Sequence, residues 1–191
     1  MNVLIFNGAI DDRPYATSNR LATYLEEQFR ERGFDPTVFN LGSSHIPIFS
    51  LEELAKKPES VTEMCNIFRQ AELHVWMTPL YHGGMTGAMK NCLDWLELTS
   101  KYDRPYLTGK VVALLSWADG TQAMQGINAM DAVAKALRAW VLPYSLPILK
   151  NNLYDPQTSE FTTFYKSKLD TMVDLLCAAK SHVTAGMITK P

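Results

Sequence analysis

The sequence predicts an α/β fold in which a parallel sheet is covered by helices on both faces. Short, unbroken apolar runs alternate along the chain with segments whose apolar residues recur every three or four positions. An uninterrupted apolar run is typical of a strand buried on both faces. Alternation of such strands with amphipathic helices indicates a parallel sheet, because a crossover helix returns the chain to the same edge.

Five segments have the composition of buried strands, and the first ends at Gly8. The fourth, "KVVALLSWA", is the most apolar, and the fifth is interrupted by Pro143 and Pro147. The predicted strands cover residues 2–7, 35–41, 73–79, 110–118 and 141–149.

The helical segments follow from apolar residues at helical spacing. Gly33 is a helix stop signal for the first, Pro58 is expected to break the second, and Thr86 is a candidate cap for the third. The predicted helices cover residues 17–33, 51–71, 85–98, 127–141 and 165–176. We predict one domain over residues 1–191, with a loosely ordered tail at about 182–191.

The economical arrangement of these elements is a flavodoxin-like three-layer αβα sandwich with a five-stranded parallel sheet in the order 2-1-3-4-5. Ligands of such sheets bind beyond the carboxyl ends of the strands, where the strand order reverses. The sequence therefore directs attention to the loops after the first, third and fourth strands.

Composition excludes several classes of function. Of 191 residues 47% are apolar and 20% charged, and the formal net charge of −2 comes with no basic stripe, so we expect no nucleic-acid partner. No apolar run is long enough to cross a bilayer, and no signal peptide is visible, so we expect no membrane partner and a cytoplasmic location. The three cysteines form no metal or redox motif and are interpreted as reduced thiols.

The loop after the first strand, "NGAIDDRPYATSNRLA", has features of an anion site. A helix amino terminus with free N–H groups and nearby hydroxyls binds anions, and Arg13 can add a charge-assisted bond to a phosphate. The alternative is that Thr17, Ser18 or Asn19 simply caps the helix while Arg13 is solvated.

Two neighbouring carboxylates oppose an anion in this loop. Asp11 and Asp12 must face away if a phosphate binds there. The loop carries neither a lysine-bearing P-loop nor a GxGxxG pattern, which disfavours a nucleoside triphosphate or a Rossmann dinucleotide.

The loop after the third strand, "TPLYHGGMTG", favours a flat ligand. Pro79 ends the strand, Tyr81 and His82 supply rings, and Gly83 and Gly84 permit close approach of the backbone. Packing of Tyr81 on a neighbouring helix and a surface or capping role for His82 are the alternatives. The loop after the fourth strand, "SWADGTQAMQG", has a similar composition.

The segment from Thr78 onwards resembles a known family. "TPLYHGGMTGAMKNCLDWL" is similar to the P-E-Y-N/H-G-S and P-G-x-L-K-N-x-x-D-W signature of the NADPH-dependent FMN reductases. The first loop is similar to that family's G-S-x-R-x-x-S-x-N-x-x-L pattern, in which Arg13, Thr17 and Asn19 match the arginine, serine and asparagine. Ala9, Leu80 and Gly84 depart from the signature.

The resemblance implies a flavodoxin-like enzyme that uses FMN and NADPH (or NADH). Hydride would pass from the nicotinamide to FMN, and the electrons would then pass to a flavin, quinone, azo or similar small acceptor. It also implies a homodimer or homotetramer. No side chain is expected to act as an obligate acid or base, and no metal is expected. The residues predicted to bind cofactor are Arg13, Thr17, Ser18, Asn19, Pro79, Leu80, Tyr81, His82, Gly83, Ser116, Trp117, Asp119 and Gly120.

Two other interpretations use the same topology. One is a non-enzymatic flavodoxin-like FMN electron carrier, although such carriers are typically far more acidic than this chain. The other is a phospho-acceptor receiver domain, since Asp11, Asp12, Ser116 and Lys150 mimic its constellation. A receiver requires an aspartate at the end of the third strand, where this sequence has Thr78 and Pro79.

Overall fold

A computed structural model describes residues 1–179, and these residues contain the predicted parallel sheet. The strands lie in the order β2-β1-β3-β4-β5, and β6 also pairs with β4, so the flavodoxin-like order is confirmed. All pairings are parallel, and their carboxyl ends lie at one edge. The bounds are β1 Asn2–Asn7, β2 Asp35–Asn40, β3 Leu73–Pro79, β4 Val111–Ala118, β5 Trp140–Val141 and β6 Leu146–Leu149.

Six α-helices connect the strands, and most agree with the sequence patterns. The break at Pro58 is confirmed, because Pro58 is the residue before the third helix. Thr86 caps the fourth helix as predicted, since its Oγ1 accepts a hydrogen bond from the Met89 N–H at 3.0 Å. The bounds are α1 Thr17–Glu31, α2 Leu51–Lys56, α3 Glu59–Gln70, α4 Gly87–Asp94, α5 Ala123–Ala136 and α6 Thr163–Ala178.

The helix predicted over residues 127–141 is the largest error. It ends at Ala136, because Arg138 adopts a left-handed backbone conformation with φ of 67° that no α-helix continues. Val141 instead lies in β5. Leu137 and Val141 still pack on the same core as the helix, so the apolar spacing is explained by burial rather than by helical conformation.

Two other elements are shorter than predicted. The fifth strand position is occupied by β5 and β6 in turn, with Pro143 between them, so that β4 pairs first with one and then with the other. The helix predicted over residues 85–98 is α4 followed by a 3₁₀ segment at Trp95–Thr99. The tail predicted at about 182–191 lies outside the described residues.

The sheet is covered on both faces. One face packs against α1 and α6, and the opposite face packs against α3, α4 and α5, giving two apolar clusters that meet across the strands. Because both faces are buried, the strands carry near-continuous apolar residues. Along the described part of the chain, no helix has both the length and the apolarity to cross a bilayer.

A buried histidine lies in the middle of this apolar sheet. His74 in β3 is fully buried, its Nε2 lies 3.3 Å from the Ala71 carbonyl oxygen, and its Nδ1 has no partner among the described residues. Burial lowers the pKa of His74 from 6.5 to about 3, with a smaller contribution from the Lys110 charge. The folded protein therefore keeps this ring neutral.

We predict that His74 makes the folded state less stable in mild acid. Below pH 6.5 the unfolded chain binds a proton at this residue while the folded chain does not, so stability falls as the pH falls towards about 3. From pH 7.5 to 5.5 this contribution is about 1.4 kcal/mol.

Urea unfolding of the wild type and of His74→Leu at these two pH values measures the contribution of His74 to the pH dependence of stability. The variant should lose less stability on acidification by that amount. An equal loss in both proteins would show that His74 does not titrate as described.

Candidate functional site

The carboxyl edge of the sheet holds a cavity of about 270 Å³, close to the lower end of the range for small-molecule sites. The loops after β1, β3 and β4 contribute its walls, as the topology predicts, and the residue after β6 completes it. The residues lining it are Ala9, Ile10, Asp11, Ala16, Thr17, Ser18, Pro79, Leu80, Tyr81, Trp117, Ala118, Asp119 and Lys150.

The first turn of α1 opens towards this cavity without a side-chain cap. Ala16 is the N-cap residue, with φ of −58° and ψ of 144°, and its methyl group cannot accept a hydrogen bond. The backbone N–H groups of Thr17, Ser18 and Asn19 have no acceptor within residues 1–179. Such a turn carries partial positive charge and attracts anions.

The predicted capping role of Thr17, Ser18 or Asn19 is therefore wrong, because all three lie inside the helix. The Ser18 hydroxyl donates to the Asp11 carbonyl oxygen at 3.2 Å, and Asn19 Nδ2 donates to the Arg13 carbonyl oxygen at 2.8 Å. Thr17 and Ser18 line the cavity, whereas Asn19 lies outside it. The two polar side chains brace the loop rather than the helix end.

Arg13 is engaged by its neighbour. Its Nε and Nη2 donate to the two carboxylate oxygens of Asp11 at 2.8 and 2.6 Å, and its guanidinium lies 5.3 Å from the Tyr15 ring centroid. This pairing lowers the pKa of Asp11 to about 2, chiefly through the side-chain hydrogen bond, and raises the pKa of Arg13. Asp11 lines the cavity and Arg13 does not, so Asp11 does not face away as a bound phosphate would require, and its carboxylate is instead paired with Arg13.

The loop after β3 forms a tight turn. The N–H groups of Tyr81 and Gly84 each donate to the other residue's carbonyl oxygen at 3.0 Å. The two central residues, His82 and Gly83, both have positive φ, 47° and 84°, which is the pattern of a type I′ turn. In the described structure their N–H groups have no acceptor, so the turn presents two free donors, and a Cβ on Gly83 would have no contact within 4 Å outside its chain neighbours.

The ends of β3 and β4 are joined beside this turn. The Leu80 N–H donates to the Trp117 carbonyl oxygen at 2.8 Å. Tyr81, about half exposed, and Trp117, almost fully buried, both line the cavity. The exposed ring of Tyr81 is flat apolar surface of the kind that packs against a planar heterocycle, whereas Trp117 belongs to the buried apolar cluster on the α1 and α6 face.

Hydrogen bonds also tie the β1 loop to β3 and α4. Thr86 Oγ1 donates to the Gly8 carbonyl oxygen at 2.7 Å, and the Gly8 N–H donates to the Met77 carbonyl oxygen at 2.8 Å. Gly8 has no room for a side chain, because a Cβ there would lie 2.5 Å from Met89 Sδ. Close packing therefore explains this glycine.

Not every predicted site residue reaches the cavity. His82, Gly83 and Gly120 are exposed beside it, while Ser116 is fully buried and close to Gly126 of α5. The Ser116 hydroxyl has no partner among the described residues.

Sequence reasoning about the cofactor site missed Lys150. Its Nζ lies 3.4 Å from Asp119 Oδ1, and the cavity walls contain no other cationic side chain within the described residues. The available signal was its place directly after the fifth strand position. Ala9, Ile10, Ala16 and Ala118 also line the cavity and were not among the predicted residues, because their small or apolar side chains gave no signal.

Comparison with known proteins identifies the fold and the family. The family model described as NADPH-dependent FMN reductase matches residues 1–152. The chain belongs to the NADPH-dependent FMN reductase family. The family assignment gives an NAD(P)H-dependent oxidoreductase that uses FMN, so the resemblance seen in the sequence is confirmed.

Individual relatives agree with this assignment. The chain is 29% identical over 137 residues to an NADPH azoreductase of a Bacillus species, covering 72% of this chain and 68% of the relative. It is 27% identical over 176 residues to the NADPH-dependent FMN reductase ArsH of Acidithiobacillus ferrooxidans, covering 91% of this chain and 71% of the relative.

Solved structures agree on the fold. FerB, a flavoenzyme NAD(P)H:acceptor oxidoreductase of Paracoccus denitrificans, gives a TM-score of 0.77 at 18% identity, covering 95% of this chain and 98% of FerB. A flavodoxin of Pseudomonas aeruginosa gives 0.58 at 16% identity, covering 93% and 99%. At these identities the comparison shows the shared architecture alone, so the separation of reductase from electron carrier comes from the family model.

The residues of the cavity fit FMN. An uncapped helix amino terminus suits a phosphate, the exposed Tyr81 ring suits a planar ring system, and the two free N–H groups of the type I′ turn beside the cavity suit the acceptor atoms of a flavin edge. The described residues contain no group of three or more histidine, cysteine, aspartate or glutamate side chains arranged to hold a metal.

Proposed function

We propose that this reductase holds FMN in the cavity at the carboxyl edge of the sheet and passes electrons to a small planar acceptor. When bound, FMN supplies the two-electron chemistry, accepting a hydride from NAD(P)H and delivering electrons to the acceptor. The observation that carries the proposal is that the open first turn of α1 and the free donors of the β3 loop lie at the same sheet edge.

The chain's own residues divide into three groups under this proposal. Thr17 and Ser18 would hold the phosphate through their N–H groups, with the Thr17 hydroxyl beside them. His82 and Gly83 would donate to the edge of the flavin and stabilise negative charge that develops there. Other cavity residues would provide the walls: Pro79, Leu80, Tyr81, Trp117 and Asp119.

The remaining residues predicted to bind cofactor act from outside the cavity in this proposal. Arg13 neutralises Asp11, and Asn19 braces the loop. Ser116 and Gly120 would help shape the β4 loop rather than contact FMN, because neither lines the cavity.

The apolar mouth of the cavity supports a planar aromatic acceptor. Ile10 and Tyr81 line the cavity and are 57% and 51% exposed, so an acceptor approaching the flavin would bury apolar surface against them. The Bacillus relative's name, NADPH azoreductase, points to one such class. A flavin, a quinone and an azo compound all fit this description.

Assembly and location are further parts of the proposal. We infer a homodimer or homotetramer in the cytoplasm, on the resemblance for the first and on the free thiols of Cys65, Cys92 and Cys177 for the second. Light scattering on the purified protein measures the first, and cell fractionation measures the second.

The direct functional test is reduction of bound FMN. FMN-loaded protein mixed with NADPH without oxygen should lose its yellow flavin absorbance, and an added quinone or azo dye should restore it. Free FMN at the same concentration, without protein, is the control. Protein that retains FMN but does not bleach with NADPH or NADH would contradict the proposed function.

The open helix end predicts a trade between stability and cofactor binding. Ala16→Asp should stabilise the FMN-free protein by about 1 kcal/mol, because the carboxylate caps the first turn. The same carboxylate should weaken FMN binding about tenfold, because it occupies and charges the anion site.

The matched control is Pro58→Asp, which changes another uncapped N-cap residue. Pro58 precedes α3 with φ of −51° and ψ of 142°, nearly the values of Ala16, but lies outside the cavity lining. Urea unfolding and FMN titration are measured on both variants. Unchanged FMN affinity in a stabilised Ala16→Asp protein would place the phosphate elsewhere.

The ion pair between Arg13 and Asp11 predicts that substitutions of these two residues have compensating effects on FMN affinity. Arg13→Ala should weaken FMN binding about threefold at low salt, because it leaves the Asp11 carboxylate unpaired at the cavity wall. Asp11→Asn should not weaken binding, and the double variant should bind FMN as the wild type does. A double variant as weak as Arg13→Ala would instead show that Arg13 contacts the phosphate directly.

A further inference from the structure

Three asparagine side chains form a closed hydrogen-bonded ring beneath the β1 loop. Asn7 ends β1 and Asn40 ends β2, where the two residues are paired in register, and Asn19 lies on α1. Asn7 Nδ2 donates to Asn19 Oδ1 at 3.2 Å and to Asn40 Oδ1 at 3.3 Å, and Asn40 Nδ2 donates to Asn19 Oδ1 at 3.3 Å. None of the three lines the cavity.

The backbone fixes the direction of every bond in this ring. The Ala9 N–H donates to Asn7 Oδ1 at 3.1 Å, so Asn7 turns its amino group to the ring. Asn19 Nδ2 donates to the Arg13 carbonyl oxygen at 2.8 Å, so Asn19 turns its oxygen to the ring. Asn40 contributes one donor and one acceptor and makes both remaining bonds, and its side chain has no other partner in the described structure.

The ring acts on the α1 terminus through one carbonyl group. The Arg13 carbonyl oxygen accepts from Asn19 and also from the Ala16 N–H at 2.9 Å. Ala16 is the residue whose conformation starts α1 and leaves the first N–H groups open. Asn7 holds the other end of the loop through Ala9. The two ends of the loop over residues 8–16 are therefore held from a single cluster.

Stability alone is a weak explanation for such a cluster. Three neutral amides, one of them fully buried, exchange hydrogen bonds with water for bonds of 3.2 to 3.3 Å, and the net gain of such bonds is small. Polar networks instead fix one arrangement of the chain, because their bonds are directional.

We propose that Asn40 is a positioning residue for the phosphate monoester of the bound flavin nucleotide. Acting through Asn7 and Asn19, it holds the β1 loop in the conformation that leaves the N–H groups of Thr17 and Ser18 open to the phosphate. This inference rests on the proposed function and adds to it a residue on β2, a strand that contributes nothing to the cavity wall.

The test compares two flavins that differ only in the phosphate. Flavin-free protein is titrated with FMN and with riboflavin, and binding is followed by flavin fluorescence. Asn40→Ala should lower the preference for FMN over riboflavin about tenfold, because the phosphate loses its prepared site while the ring system keeps its own contacts. The affinity for riboflavin itself should not change.

Asn91→Ala is the matched control. Asn91 on α4 is also half-buried and also braces a loop, accepting from the Phe49 N–H at 2.7 Å and donating to the Pro47 carbonyl oxygen at 2.9 Å. Its loss should reduce stability while leaving the ratio of FMN to riboflavin affinity at the wild-type value.

Asn19→Ala removes a second residue that holds the same loop. Together with Asn40→Ala and the double variant, it completes a double-mutant cycle for FMN preference. Because both residues belong to one ring, the double variant should lose little more FMN preference than the worse single variant.

The outcomes separate the inference from the function on which it rests. A wild type with no preference for FMN over riboflavin overturns the phosphate site and this inference together. A wild type that prefers FMN, with Asn40→Ala and Asn19→Ala both keeping that preference, overturns the inference alone. Equal weakening of both flavins in these variants also overturns it, because it would show a general structural role.

Discussion

The uncapped first turn of α1 is the feature on which the rest of the site depends. A serine or aspartate in place of Ala16 would satisfy this helix end and stabilise the fold by about 1 kcal/mol. The chain instead leaves the N–H groups of Thr17 and Ser18 open at the cavity wall. Water can satisfy such a helix end, but an anion satisfies it better, and the small loss of stability is what the proposed phosphate site requires.

The parallel sheet determines which loops lie next to the amino terminus of α1. Because the carboxyl ends of β1, β3 and β4 lie at one edge, the open first turn of α1 and the residues that end β3 and β4 line one cavity, and the type I′ turn lies beside it. Hydrogen bonds from Thr86 to Gly8 and from Leu80 to Trp117 then join the three loops. The site is thus a set of loops that are joined by hydrogen bonds and supported by a rigid sheet, which suits a ligand that needs donors at fixed positions.

The sequence was most informative where one physical cause dominates. Burial on both faces made the strands readable as apolar runs, and the glycines and rings after β3 and β4 marked the loops beside the cavity. Prediction from the sequence failed where two physical causes compete at one residue or segment. Asp11, two residues away, takes the guanidinium of Arg13, and the left-handed backbone at Arg138 ends a helix whose apolar spacing continues to Val141. Lys150 reaches the cavity from a separate segment, which local patterns do not report.

Backbone amide chemical shifts test the central claim most directly, because they report on the helix end itself. In ¹⁵N-labelled protein, FMN should shift the amide resonances of Thr17 and Ser18 strongly, as expected for N–H groups that gain an anionic acceptor. Riboflavin should move the resonances of His82 and Gly83 but leave those of Thr17 and Ser18 nearly unchanged. If FMN and riboflavin perturb the first turn of α1 equally, the phosphate does not bind there and the account is wrong.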